Sequence, residues 1–205
     1  MLTIVFQAGG KSQRMGRDKA LVDFHGQPLI KRVIQRVQHL ADEIIVTTNN
    51  PDSYKFLGLP LFRDIFPGRG SLGGLYTALS AANRPTVAVL ACDMPFVNPG
   101  LLEYQADQIN RGNVDVVIPQ TNAGWEPFHA VYRRDTCREP LKSALNSGKW
   151  RVDSWFPDVN VFPVPQDIWI KFDPQLLSFF NINTPQDLDY AVQIASNAGK
   201  RNLNE

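Results

Sequence analysis

Apolar positions along the chain fall into two patterns. Four short runs carry aliphatic or β-branched residues without alternation: "LTIVF" at 2–6, "EIIVTT" at 43–48, "TVAVLAC" at 86–92 and "VDVVIP" at 114–119. A run that is apolar at successive positions buries both of its faces, the habit of strands in a covered parallel sheet. Between the runs, apolar residues recur at helical spacing. Leu29, Val33, Ile34, Val37 and Leu40 place one stripe along the segment from Pro28 to Ala41. Ser71 is placed to cap "LGGLYTALSAA", and "NPGLLEYQADQI" carries a proline in its first turn. Strand alternating with helix predicts right-handed βαβ units. The expected fold class is α/β, Rossmann-like, with a mostly parallel central sheet and helices on both faces.

Beyond residue 125 the regularity fades into stretches rich in Trp, Phe and Pro, such as "GWEPFHAVYR", "KWRVDSWFPDV" and "PVPQDIWIKF". It returns at "NINTPQDLDYAVQIAS", where Thr184 reads as a helix N-cap, Pro185 as the first helical residue and Asp187 as the reciprocal capping carboxylate. No linker or repeat divides the chain, so a single domain is expected over 1–197, with 198–205 a polar tail that frays.

Composition narrows the function without naming it. Of 205 residues, 43% are apolar and 20% charged, and the net charge is +1. No global field draws the molecule to nucleic acid or membrane, and neither partner is expected. No run approaches the ~20 apolar residues of a membrane span, and the start lacks the pattern of a signal peptide, so a cytoplasmic location is expected. Cys92 and Cys137 make neither a disulfide framework nor spaced zinc pairs.

Charge is concentrated locally. Directly behind the first run, "AGGKSQRMGRDKAL" at 8–21 packs Lys11, Arg14, Arg17 and Lys19 around bare glycine backbone. Exposed N–H groups with added cations suit a phosphate, although the spacing is neither a Walker loop nor GxGxxG. The third run ends "ACDMPFV", which puts Asp93 at a strand tip. In open α/β sheets that is where ligands bind, and one carboxylate plus substrate phosphates is how Mg²⁺ is commonly held. "RDIFPGRGSLGGLYTAL" at 63–79 adds a glycine loop opening a helix, with Asp64 ahead of it able to accept from a base or ribose. Trp125, Glu126, His129, Trp150 and Arg151 could face a flat heterocycle, and core or surface packing is the alternative for each. Cys92 reads as a buried small side chain, and His25, His39 and His129 share no metal-ligand spacing.

"AGGKSQRMGRDKAL", "DIFPGRGSLGGLYTAL", "ACDMPF" and "NINTPQDL", in that order, resemble the molybdenum cofactor guanylyltransferases, within the nucleotidyltransferases of Rossmann-like fold. The resemblance implies transfer of GMP from GTP to the molybdopterin-bound molybdenum cofactor, with Mg²⁺ as cofactor. Recipient apoenzymes and cofactor-synthesis proteins are implied as possible partners. It implies that Gln7, Ala8, Gly9 and Gly10 line the nucleotide and that Lys19 binds its phosphates. Asp64 would contact the nucleoside and Asp93 would hold the metal. Arg14 would add charge to the catalytic group, and Asn181 and Asn183 would border the acceptor. Residues 1–120 would then serve mainly the nucleotide and 121–197 mainly the acceptor. The family usually has leucine where Gln7 stands, and some members have asparagine where Thr47 aligns, with Asn49 nearby to compensate. Cytidylyl transfer to the same kind of acceptor, or a non-catalytic module that delivers the cofactor, are the alternatives.

Overall fold

The computed structural model describes residues 1–8 and 18–201. In chain order its elements are β1 (Leu2–Gln7), a small hairpin of β2 (Asp23–Phe24) and β3 (Gln27–Pro28), α1 (Leu29–Val37), β4 (Glu43–Thr47), β5 (Leu61–Phe62) and α2 (Gly70–Ala81). They continue with β6 (Thr86–Ala91), α3 (Pro99–Arg111), β7 (Val116–Thr121), β8 (Gly124–Trp125), β9 (His129–Arg133), α4 (Arg134–Asn146), β10 (Val161–Val164), α5 (Gln166–Trp169) and α6 (Pro185–Arg201). All four apolar runs contain strands of one sheet, in the order β10-β7-β9-β6-β1-β4-β5 with β8 beside β7.

The sheet is mostly parallel, as its unbroken apolar runs predict: β1 pairs in parallel with β4 and β6, β4 with β5, and β7 with β10. β9 is the exception on the main path. It runs antiparallel to both β6 and β7. Its sequence, "HAVYR", has too few residues and too much polarity to stand out from the irregular second half, so pattern reading passed over it.

Pleating divides β1 between two cores. Ile4 and Phe6 join Ile30 and Val33 of α1 and Leu101 and Leu102 of α3 on one face. Val5 joins Leu72, Leu75 and Leu79 of α2 and Leu141 of α4 on the other. β6 repeats the division, with Ala88 and Leu90 on the first face and Val87 and Val89 on the second. Helices therefore cover both faces. Each fully buried aliphatic side chain contributes about 1.5–3 kcal/mol, and truncating Ile4 to alanine would cost about 2–5 kcal/mol. No helix among the described residues is long and apolar enough to cross a membrane.

Helix ends show where local signals held. Asn98 caps α3 by accepting from the Leu101 N–H at 3.0 Å. The box before α6 is reciprocal: Thr184 Oγ1 accepts from the Asp187 N–H at 3.2 Å and Asp187 Oδ2 from the Thr184 N–H at 2.8 Å. The backbone of α6 runs to Arg201 through part of the expected tail, and residues 202–205 lie outside the described residues. Ser71, in contrast, is not a cap. α2 starts two residues earlier than that cap implies, at Gly70, with Arg69 at the N-cap position and no side-chain cap bond. Gly70 has φ +56°, a left-handed conformation that glycine adopts freely, so backbone freedom sets this entry rather than a hydroxyl. The stripe of the first helix is also shorter than its pattern, since α1 ends at Val37 and a 3₁₀ turn covers Gln38–Leu40.

Candidate active site

The parallel register places Gln7 between Thr47 of β4 and Ala91 of β6. These strand ends are level, and a cavity of about 470 Å³ opens over them. It runs across the sheet edge. Asp64 and Asn49 lie at the β5 side, Gln7, Ala8 and Ala91–Asp93 in the middle, and Glu126–Phe128 at the β9 side, with Lys19 and Asn181 contributing from neighbouring segments. Six residues expected at the site, Gln7, Ala8, Lys19, Asp64, Asp93 and Asn181, line this one cavity. Gly9, Gly10 and Arg14, expected beside them, lie outside the described residues.

Lys19 is held by its own turn. Asp18 caps a 3₁₀ turn over Lys19–Leu21, its Oδ1 accepting from the Ala20 N–H at 3.1 Å while Oδ2 accepts from the buried Tyr54 hydroxyl at 2.5 Å. Burial first, and then the Asp18 carboxylate, pushes the Tyr54 phenol far above its usual pKa, so it stays a donor. The Lys19 ammonium then lies 3.3 Å from Asp93 Oδ2 and 2.6 Å from Asn183 Oδ1. Asn183 is carried into reach because the Ile182 N–H donates to the Asp93 carbonyl at 2.9 Å. Asn183's own N–H is held by Asp187 Oδ2 at 2.9 Å. Lys19 and Asp93 keep roughly a fifth of their side-chain surface open, so the pair is accessible and only partly screened by solvent.

At the other end, Asp64 Oδ2 accepts from Asn49 Nδ2 at 2.6 Å. The loop behind it is tied down by Thr77, whose Oγ1 accepts from the Ile65 N–H and donates to the Gly73 carbonyl, both at 3.0 Å. Gln7 packs its amide against α2. A Cβ at Gly74 would come within 3.0 Å of Gln7 Nε2, so glycine there gives the longer side chain its room. Arg69 turns away from the cavity, donating from Nη2 to the Leu145 and Lys149 carbonyls at 2.7 and 3.1 Å and covering the Trp150 ring at 4.7 Å.

The structure separates the candidate heterocycle contacts. Glu126 lines the cavity. Trp125 packs on Phe156 in a shallow hollow elsewhere. Trp150 is occupied by Arg69, Arg151 pairs with Asp153 at 2.8 Å on the surface, and His129 is wholly buried. Cys92 is buried, and desolvation, then the adjacent Asp93 charge, raises its thiol well above the ordinary range. It is an inert core residue. Asp18, Thr48 and Phe128 reach the cavity without having been singled out in the sequence. Asp18 could have been: it is the acidic member of "GRDKAL".

Residues 4–158 match the family described as "MobA-like NTP transferase domain". The chain is 32% identical over 200 residues to the molybdenum cofactor guanylyltransferase of Desulfosudis oleivorans, covering 97% of this chain and 98% of the relative. It is 31% identical over 194 residues to the probable molybdenum cofactor guanylyltransferase of Natranaerobius thermophilus, covering 93% and 94%. Its fold matches the crystal structure of molybdopterin-guanine dinucleotide biosynthesis protein A from Archaeoglobus fulgidus with a TM-score of 0.82 and 29% identity, over 95% of this chain and 99% of that one. By its sequence over nearly its full length and by its overall fold, this chain is a nucleotidyltransferase that belongs to the MobA-like NTP transferase family.

Proposed function

We propose that this protein transfers GMP from GTP to the phosphate of molybdenum-bearing molybdopterin, forming the guanine dinucleotide cofactor and releasing pyrophosphate. The observation that carries the reading is the Lys19–Asp93 pair, 3.3 Å apart, in a cavity that Asp64 lines on the β5 side and Glu126 on the β9 side. A dinucleotide product is long and has its anionic groups at its centre, and the relatives named above carry that activity in their names.

The residues suit Mg²⁺. Asp93 offers a hard oxygen donor facing the cavity, and the thiol beside it is buried and protonated. Among the described residues no group of three or more His, Cys, Asp or Glu side chains gathers. A single cavity-facing carboxylate such as Asp93 suits an ion whose remaining positions substrate phosphates fill. Asp93 would hold it, and when bound the ion neutralises phosphate charge. Lys19 would neutralise the triphosphate, joined by Arg14 and the backbone of Gly9 and Gly10. Asp64, oriented by Asn49, would accept from the guanine N1–H and amino group, with Gln7 and Ala8 bordering the nucleoside. An acceptor phosphate oxygen attacks the α-phosphorus in line, a new P–O bond forms, and pyrophosphate leaves with the electron pair of the broken bond. Such a step asks for positioning and charge neutralisation and no enzyme nucleophile. Asn181 and Asn183 would flank the incoming phosphate. On this reading 1–120 serve mainly the nucleotide and 121–197 mainly the acceptor.

Pyrophosphate release measured with GTP, CTP and ATP, with and without molybdopterin acceptor and Mg²⁺, tests the reading. Release is expected with GTP plus acceptor. Equal release with CTP would overturn the guanylyl assignment, and acceptor-independent nucleotide binding alone would overturn transfer.

A further inference from the structure

Glu126, Pro127 and Phe128 form the wall of the cavity on the β9 side, across Asp93 from Asp64. Their position is fixed by the backbone. The Ala91 N–H donates to the Phe128 carbonyl at 3.0 Å, the Glu126 N–H to the Pro119 carbonyl at 3.0 Å, and the Glu126 carbonyl accepts from the His129 N–H at 3.0 Å. Because β9 runs antiparallel to β6, its entry loop arrives at the same edge where β6 releases Asp93.

The chemistry of this wall differs from that of the middle. The Glu126 carboxyl is half-buried, and its Oε1 accepts from Thr121 Oγ1 at 3.3 Å. Among the described residues no Lys, Arg or His lies within ion-pair distance, and Oε2 has no hydrogen-bond partner. Burial raises its pKa, and the Thr121 bond opposes the shift. A second carboxylate, with no cation partner among the described residues, suits neutral N–H donors better than phosphate. Two adjacent donors would satisfy both oxygens at once. Phe128 beside it supplies an apolar ring face.

The acceptor of the proposed reaction has such an edge. A pterin carries N3–H next to its 2-amino group, on a flat ring. We propose that Glu126 determines acceptor specificity: its carboxylate accepts the paired N–H donors of the pterin's 2-amino-4-oxopyrimidine edge, with the ring against Phe128. The inference rests on the acceptor being a pterin, as proposed above. The competing role for Glu126 is to brace the turn between β7 and β9 through Thr121.

Fluorescence titration of the full-length chain, saturated with GTP and Mg²⁺, distinguishes the two. The probes are 6-phosphomethylpterin and the matching lumazine, in which a 2-oxo group replaces the 2-amino group. The parent protein should bind the pterin on the order of 10²-fold more tightly than the lumazine, because the lumazine sets a carbonyl against the carboxylate. In Glu126→Gln the side-chain carbonyl still faces N3–H, but the amide NH₂ now suits the 2-oxo group. The preference should therefore fall and move toward the lumazine, with GTP affinity retained. Phe128→Leu should weaken both ligands alike. A bracing residue would not invert selectivity. A parent protein that binds neither probe or fails to discriminate overturns the proposal, as does Glu126→Gln with unchanged selectivity or with joint loss of GTP. Pyrophosphate release with molybdopterin, run in parallel, separates this failure from failure of the transfer reading.

Discussion

Asn183 Oδ1 accepts a hydrogen bond from Lys19 Nζ at 2.6 Å, joining two residues 164 positions apart. The contact ties the segment entering α6 to the cation beside Asp93, and Asp187 holds that segment from behind by accepting the Asn183 N–H. Lys19 is thus positioned from two sides, by Asp18 below and Asn183 above. Replacing Lys19 with alanine should lower kcat/KM by ~10²–10³-fold, the range for removing one electrostatic element of an active site. Asn183→Ala, which leaves the ammonium in place with one partner fewer, should cost much less. Lys55, exposed and paired with Asp52 at 2.7 Å, is the control. Steady-state pyrophosphate release on the three variants would refute the defined phosphate site if Lys19→Ala and Lys55→Ala behaved alike.

Asp93→Asn keeps the shape of the side chain and removes its charge. Lys19 still has Asn183 as partner, and the pair is partly open to solvent, so stability should change by less than about 1 kcal/mol. Turnover at saturating GTP should fall by ~10²–10³-fold, and higher Mg²⁺ should recover little of it. Chemical denaturation beside a Mg²⁺ titration of rate reads both. Parent-like turnover would remove Asp93 from the metal assignment.

How much of this was legible in the sequence differs between the two halves. β1, β4, β6 and β7 announced themselves because a strand buried on both faces must be apolar at every position. The place of Asp93 at a strand tip followed from that pattern and the basic stretch pointed to Lys19, whereas Gln7 and Ala8 came only from the family resemblance. β9 was silent: "HAVYR" places a histidine and a tyrosine in the core, His129 and Tyr132, both fully buried. Polar side chains that find apolar surroundings through long-range pairing leave no local signature. The same blindness hid the partner of Asp18, Tyr54, which lies 36 residues away, although Asp18 itself stood in view beside Lys19. It also left Glu126 undistinguished from Trp125 and Trp150, since only the antiparallel crossing of β9 decides which of them meets the cavity.

The base end makes its own prediction. Asp64 Oδ2 is oriented by Asn49 Nδ2 at 2.6 Å, and a carboxylate there matches two adjacent donors of guanine, a pairing that cytosine lacks. Asp64→Ala should erode the preference for GTP over CTP, and Asn49→Ala should erode it less, because the carboxylate remains but loses its orientation. Competition assays with GTP, CTP and ATP on each variant measure this. An unchanged GTP preference in Asp64→Ala would exclude Asp64 from base selection.

The last prediction concerns stability and pH. His129 is fully buried; its Nε2 accepts from the Asn98 N–H at 3.4 Å, and Nδ1 has no partner among the described residues. Desolvation lowers its pKa to about 4, opposed by a backbone hydrogen bond and by the charge of Asp173. In the unfolded chain the imidazole titrates near its ordinary value of 6.5. Between these values the unfolded state binds the extra proton, so folding stability falls as pH drops from 6.5 toward 4, and this contribution levels off below. The gap corresponds to up to about 3 kcal/mol. His129→Gln keeps a neutral acceptor for Asn98 and removes the titration. It should be less stable than the parent protein at pH 7.5, because the packing of His129 on Phe179 is lost, yet its stability should be flatter through the window. Carboxylates with lowered pKa, such as Asp187 and Asp153, act mainly below pH 4 and are common to both proteins, so they cancel in the difference. Urea unfolding at pH 7.5, 5.5 and 4.5 provides the measurement, and parallel stability curves for the two proteins would show that His129 is not the buried neutral group responsible.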